Sequence, residues 1–259
     1  LKRAECFVYP QGAKPPTAAQ YLKLFEPMDW RKRSVKGRSC NCALLPQRFF
    51  LAVLPHLWYD RGRIATERNE ETMKWIIASD LHGSAHYCRQ LLEAWKREEA
   101  PRMLFLGDLL YHGPRNDLPE GYAPKEVIAL LQERQADIFC VRGNCEAEVD
   151  QMVLDFPCMG DYAQLVDDAG RTLFFTHGHI FGAGFQNSVD NLPALLADSA
   201  LVYGHTHVKV NEPVPERPDI WAFNPGSVGI PKDGSHSFGI YESGKPLAEA
   251  FRHVVLKEA

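Results

Sequence analysis

No stretch of about 18–20 apolar residues occurs in the 259-residue chain, so a membrane-spanning helix is not expected. The nearest approach, Ala43 to Tyr59, is broken by Gln47, Arg48 and two prolines. No unbroken apolar segment meets a small-residue cleavage site near the start, so a secretory signal is not expected either. The seven cysteines, Cys6, Cys40, Cys42, Cys88, Cys140, Cys145 and Cys158, are odd in number and lack the spacing of a disulfide scaffold. Cys40 and Cys42 have no second Cys/His pair with which to form a zinc knuckle. These absences point to a reducing, cytoplasmic setting. Internal repeats and low-complexity blocks are also missing, which removes repeat architectures.

What is there divides at Met73. The net charge of -4 conceals 13 Lys+Arg against 7 Asp+Glu in residues 1–72, which leaves 16 and 26 of the chain's 29 and 33 for residues 73–259. The first part is basic, proline- and arginine-rich, and holds no sustained period of 2 or 3.6. It reads as an N-terminal extension, poorly structured or upstream sequence behind a misassigned start. From Met73 the run Lys74-Trp75-Ile76-Ile77-Ala78-Ser79 enters a buried strand at once.

Residues 73–259 alternate in type. The pattern predicts strand 74–79, helix 85–98, strand 102–107, helix 124–135, strand 138–142 and helix 147–155. A hairpin follows, with strands 162–166 and 172–176 around Asp168-Ala169-Gly170. Helix 190–198, strand 200–203 and short strands near 220–223, 237–242 and 250–256 complete the series. Such alternation implies an α/β domain with helices packed outside its sheets.

Five short polar motifs stand at or just after the C-terminal ends of apolar runs: Asp80-Leu81-His82, Gly107-Asp108, Gly143-Asn144-Cys145-Glu146, His177-Gly178-His179 and Gly204-His205-Thr206-His207. In open α/β sheets that edge is where ligands bind, so side chains distant in sequence meet there. Singly, each motif is an ordinary turn. Together they supply carboxylate, amide and imidazole donors, a mixture that suits Mn²⁺, Fe, Zn²⁺ or Ni²⁺. The absence of thiolate argues against a structural zinc site.

In this order the motifs resemble the calcineurin-like metallophosphoesterase superfamily, and the match covers essentially all of 73–259. The Gly-Asn-Cys-Glu variant, the segments His112 to Asn116 and Leu118 to Tyr122, and Asn224-Pro225-Gly226-Ser227 are similar to its bacterial YfcE-type phosphodiesterases. The resemblance implies a four-layer α/β/β/α sandwich of two mixed sheets. It also implies two divalent ions, with Mn²⁺ favoured: Asp80, His82 and His207 on one, Asn144, His177 and His205 on the other, and Asp108 bridging. A hydroxide shared by the ions would be the nucleophile for a small phosphodiester, possibly nucleotide-derived. Two such ions, two aspartates and a hydroxide sum to roughly +1, which attracts an anionic diester.

Cys145 departs from the family, most of whose members carry a histidine after this asparagine. A thiol is the poorer donor, so the expectation is weak leaving-group assistance and a preference for diesters over alkyl monoesters; filling space is the alternative role. Arg115 is expected either to clamp a phosphate oxygen through its planar fork or to stand as a solvated surface arginine, and His112 and His179 to orient metal-bound imidazoles. Asn224 and Ser227 are expected to brace or line the floor. Other activities the superfamily allows are a phosphomonoesterase, a nuclease or a non-catalytic scaffold like the retromer subunit. The acidic balance of 73–259 disfavours polymeric nucleic acid as substrate. A homo-oligomer stays open.

Overall fold

The computed structural model describes residues 72–184 and 189–257. The expected extension up to residue 71, with Cys40 and Cys42, lies outside them. The first half runs β1 (Lys74–Ala78), α1 (Ala85–Glu98), β2 (Arg102–Phe105), α2 (Pro124–Gln132), β3 (Ile138–Cys140) and α3 (Glu148–Val153). The second half is β-rich: β4 (Tyr162–Val166), β5 (Thr172–Thr176), β6 (Gly182–Ala183), β7 (Asp190–Asn191), β8 (Ser199–Val202), β9 (Lys209–Val214), β10 (Arg217–Pro225), β11 (Ser237–Glu242), α4 (Leu247–Ala250) and β12 (Phe251–Val255).

Two mixed five-stranded sheets result, ordered β12-β11-β1-β2-β3 and β4-β5-β8-β10-β9, as expected for this class of α/β fold. Strands β1, β2 and β3 are parallel in the first sheet, and β5, β8 and β10 in the second. Alternation with period 2 assigns each side chain to a layer. Along β1 and β2, Ile76, Met103 and Phe105 join the cluster beneath the helices, while Ile77 and Leu104 enter the core between the sheets. From the second sheet Leu173, Phe175, Ala200, Val202 and Phe223 complete that inner core. Phe174, Leu201 and Ala222 face the opposite way.

Helix α1 begins where Ser84 accepts the Tyr87 N–H through its hydroxyl and ends at Glu99 in a left-handed turn. Its buried residues Cys88, Leu91 and Trp95 fall at i, i+3 and i+7, one stripe against the first sheet. Burying a side chain such as Leu91 contributes about 1.5–3 kcal/mol. Helix α2 opens on Pro124, which needs no N–H partner there, and buries Val127 and Leu131.

The helix expected over 190–198 does not form: Asp190–Asn191 is a strand of a two-stranded ribbon with Gly182–Ala183, and the residues after it are irregular. Pro193 removes a backbone donor from that segment, and Leu192 and Leu195 cover the outer face of the second sheet together with Phe181. Strand β9 was not expected from its polar, proline-containing sequence. It is the edge strand beside β10, a position where Pro213 is tolerated.

Candidate metal centre

All five polar motifs lie at the carboxyl ends of parallel strands. Asp80 and His82 follow β1, Asp108 follows β2, Asn144 follows β3, His177 follows β5, and His205 and His207 follow β8. Backbone geometry there is special: Asp80, His82, Asp108, His205 and His207 all have positive φ, between 50° and 65°. Each such residue costs about 1–2 kcal/mol, a strain the surrounding loops must carry. They carry it through cross-loop hydrogen bonds, from Asp80 N to Gly107 O at 3.1 Å and from His82 N to Asp108 O at 2.9 Å.

Glycine is required where these loops touch. A Cβ on Gly204 would sit 1.9 Å from Ser79 Oγ and 2.9 Å from Asp80 Oδ2, and one on Gly143 would sit 2.1 Å from Asp108 Oδ1. The close approach brings the ligand-bearing turns into one cluster.

Asp80 and His177 are fully buried, and His82, Asp108 and His207 nearly so. The Nε2 atoms of His207, His82 and His177 stand 3.2, 3.7 and 4.0 Å from Asp80 Oδ1. Asp108 Oδ2 is 3.6 Å from His82 Nε2 and 3.5 Å from His177 Nε2. Asn144 Oδ1 lies 3.1 Å from His177 Nε2, and the His205 ring centroid is 5.1 Å from that of His177. All seven residues singled out in the sequence are therefore gathered in one place. Asp80, His82 and His207 form one group able to hold an ion, and Asp80, Asp108 and His177 form another.

Three imidazoles are oriented by backbone carbonyls. The Nδ1–H groups of His82, His177 and His207 donate to Tyr111 O (2.8 Å), Leu106 O (2.6 Å) and Ile230 O (2.6 Å), which turns each Nε2 inward. His112 and His179 do not perform this service: the Nδ1 of each is buried without a partner, and the His112 ring packs edge-on against Tyr111 and Tyr122.

Other residues hold the carboxylates. Asp80 Oδ2 accepts from Ser79 Oγ and from His205 N, whereas Asp80 Oδ1, equally buried, has no hydrogen-bond partner. Glu146 accepts the N–H groups of Asp108, Leu109 and Gly143, and so joins the loop after β2 to the loop after β3. Ser227 Oγ donates to Asp80 O, and Asn224 Nδ2 donates to Gly204 O and Thr206 Oγ1, so both brace the floor. In the sequence Glu146 stands out only as part of its motif, and Ser79 only as the end of a strand.

Attraction to the surrounding imidazoles keeps both buried aspartates ionised. Burial opposes ionisation of Asp80, but His207, His177 and His82 override it and hold its carboxyl well below the usual range. Asp108 is lowered likewise, against its burial, chiefly by His177. Burial pulls His177 down, yet Asp108 and Asp80 bring it up to about 9. Burial and then His177 lower His205 to about 4. Glu146 is raised to about 7 by burial and the charge of Asp108.

Cys145 Sγ belongs to a group with His82 and Asp108. Burial, then the Asp108 carboxylate, push the thiol far above its ordinary pKa, so it stays a neutral S–H. Arg115 is exposed and lines the mouth of a cleft of about 650 Å³, along with Cys145, Asn144, His207 and Lys232.

Residues 73–245 match the model of the calcineurin-like phosphoesterase superfamily domain, and the chain belongs to that superfamily. Within it, the chain is similar to phosphodiesterase YfcE of Escherichia coli K12, with 47% identity over 172 residues, 66% of this chain and 88% of that protein. The solved structure of E. coli YfcE, described as a phosphoesterase, superposes with a TM-score of 0.61 at 43% identity, covering 71% of this chain and all of the other. An archaeal phosphodiesterase structure shares the fold at a TM-score of 0.50 and 24% identity, over 71% of this chain and all of its own. No helix among the described residues is long and apolar enough to cross a membrane.

Proposed function

We propose that residues 73–259 form a phosphoric diester hydrolase that holds two divalent metal ions, Mn²⁺ foremost, and cleaves small phosphodiesters. The observation that carries this reading is Asp80 Oδ1: a buried, ionised oxygen with no hydrogen-bond partner, faced by the Nε2 atoms of three histidines. A buried anion is costly unless it is paired, and the donor set around it suits a cation. Asp80, His82 and His207 would hold one ion, and Asn144, His177 and His205 the other, with Asp108 shared. Bound ions of this kind supply an activated water and positive charge for the phosphoryl oxygens.

The remaining roles belong to the chain. Carbonyls of Leu106, Tyr111 and Ile230 fix three imidazoles in the tautomer that leaves Nε2 free to ligate. Arg115, at the cleft mouth, offers a bidentate fork to a nonbridging phosphate oxygen. Cys145, as a neutral thiol, gives the departing oxygen only a weak donor, which favours esters with good leaving groups. Similarity to YfcE phosphodiesterases supports the diester over the monoester. A complete ligand set speaks against a purely scaffolding role, and an acidic domain against polymeric nucleic acid.

The test is hydrolysis of bis-p-nitrophenyl phosphate and a panel of cyclic and dinucleotide diesters by the chain, stripped of metal and then resupplied with Mn²⁺, Ni²⁺ or Zn²⁺. Turnover that disappears on stripping and returns with metal is expected. Absence of turnover with every metal would reject the reading.

A further inference from the structure

Lys232 has no counterpart in the roles described so far. It lines the cleft with Arg115, and among the described residues neither cation has a carboxylate within ion-pair distance. The adjacent acid, Asp233, is fully engaged elsewhere: its Oδ1 pairs with Lys209 Nζ at 2.7 Å and its Oδ2 accepts Lys209 N at 2.8 Å. The loop carrying Lys232 is also fixed to the site. Lys232 N donates to His207 O at 3.0 Å, His207 Nδ1 donates to Ile230 O, and Ile230 N donates to Ser227 Oγ, which itself donates to Asp80 O.

The backbone segments that carry the two cations are anchored at different turns of the centre. Arg115 follows Gly113, where a Cβ would lie 3.6 Å from Cys145 Sγ, so its loop borders the Asn144–Cys145 turn. Lys232 is anchored beside His207, whose Nε2 is 3.3 Å from that of His82. A diester whose phosphorus sits at the centre extends two arms, and one cation cannot serve both.

We infer that Lys232 is a specificity-determining residue that binds a second anionic group, a phosphate or carboxylate, on one ester arm of the substrate. This rests on the phosphodiesterase reading and narrows it. Diesters with a doubly anionic character are preferred over those with neutral arms. The energetic reason is that the backbone carrying this unpaired cation is already fixed by hydrogen bonds, so only the side chain is ordered when an anion arrives.

The experiment compares two substrates that release the same p-nitrophenolate: thymidine 5′-(p-nitrophenyl phosphate) and its 3′-phosphorylated form. With Mn²⁺ the wild-type chain is expected to favour the 3′-phosphorylated ester in kcat/KM by about fivefold to tenfold, mainly through KM. Lys232→Gln should collapse that ratio towards one, and Lys232→Arg should keep it. Equal use of both esters by the wild type would overturn the inference. So would a Lys232→Gln variant that lowers both together and preserves the ratio, the mark of a merely structural role. In either case hydrolysis of the unphosphorylated ester leaves the phosphodiesterase reading standing. Failure to hydrolyse either ester overturns this inference, and it removes the phosphodiesterase reading as well only where bis-p-nitrophenyl phosphate is also left intact.

Discussion

Gly204 illustrates how tightly single residues are constrained around the centre. Its φ is unremarkable, but an added methyl would occupy the space of the Ser79 hydroxyl, which itself holds Asp80 Oδ2. Ser79 is fully buried and cannot swing away. Gly204→Ala should therefore cost about 1–3 kcal/mol of stability by overpacking, and more than that in function, because Asp80 moves with Ser79. Thermal unfolding together with metal titration checks this; a variant with wild-type metal affinity would show that Asp80 is not held from this side. Cys145 gives a second prediction. Cys145→His puts a stronger donor beside Asp108 and should raise turnover of a simple alkyl phosphate monoester relative to bis-p-nitrophenyl phosphate by about tenfold or more. An unchanged ratio would assign the thiol to space-filling. The ligand side chains were readable in the sequence because Asp, Asn and His at strand ends are chemically conspicuous. Their supports were not: the carbonyls of Leu106, Tyr111 and Ile230 are identical in every residue type, and only the fold places them.

Among the elements, a buried polar clamp fastens the hairpin of the second sheet to the first. Asp167, in the turn after β4, accepts from Arg171 Nε and from Tyr241 OH of β11, while Arg171 Nη1 donates to Lys245 O. Burial opposes the ionisation of Asp167, but the Tyr241 hydroxyl and the Arg171 bonds hold its pKa below the usual carboxylate range. Asp167→Asn leaves a buried guanidinium unpaired and is expected to cost about 3 kcal/mol in denaturant unfolding. The pH dependence follows from the sign of the shift. A depressed folded pKa contributes stability in full above the unfolded value of about 3.9 and loses it as pH falls through the folded value. The gap between wild type and Asp167→Asn should thus be constant near neutrality and narrow below about pH 4. A gap that does not change with pH would mean that Asp167 is not acting as a carboxylate. At this scale the strands and helices of the first half were legible, because β1 and β2 are short apolar runs, α1 is capped by Ser84 and α2 opens on Pro124. The segment over 190–198 misled because Leu192 and Leu195, spaced like one helix face, pack instead on the outside of a sheet. β9 was hidden because an edge strand tolerates Pro213 and polar residues.

For the molecule as a whole, two sheets whose parallel strands end on a common edge bring seven residues, spread from Asp80 to His207, to one point. No single element contains the centre, so its integrity reports on the assembly of both sheets. Metal should accordingly stabilise the fold: at a concentration 100 times its Kd, an ion bound only by the native state adds about 2.7 kcal/mol, and a chelator should lower the unfolding midpoint by the matching amount. Asp108 is the residue proposed to be shared by two ions. The decisive measurement is the number of Mn²⁺ ions bound per chain, by calorimetric titration of the metal-stripped protein and of Asp108→Asn. Two ions in the wild type, and loss of affinity for both in the variant, are the predicted result; a single ion in the wild type, or a variant that still binds two with undiminished affinity, would contradict it.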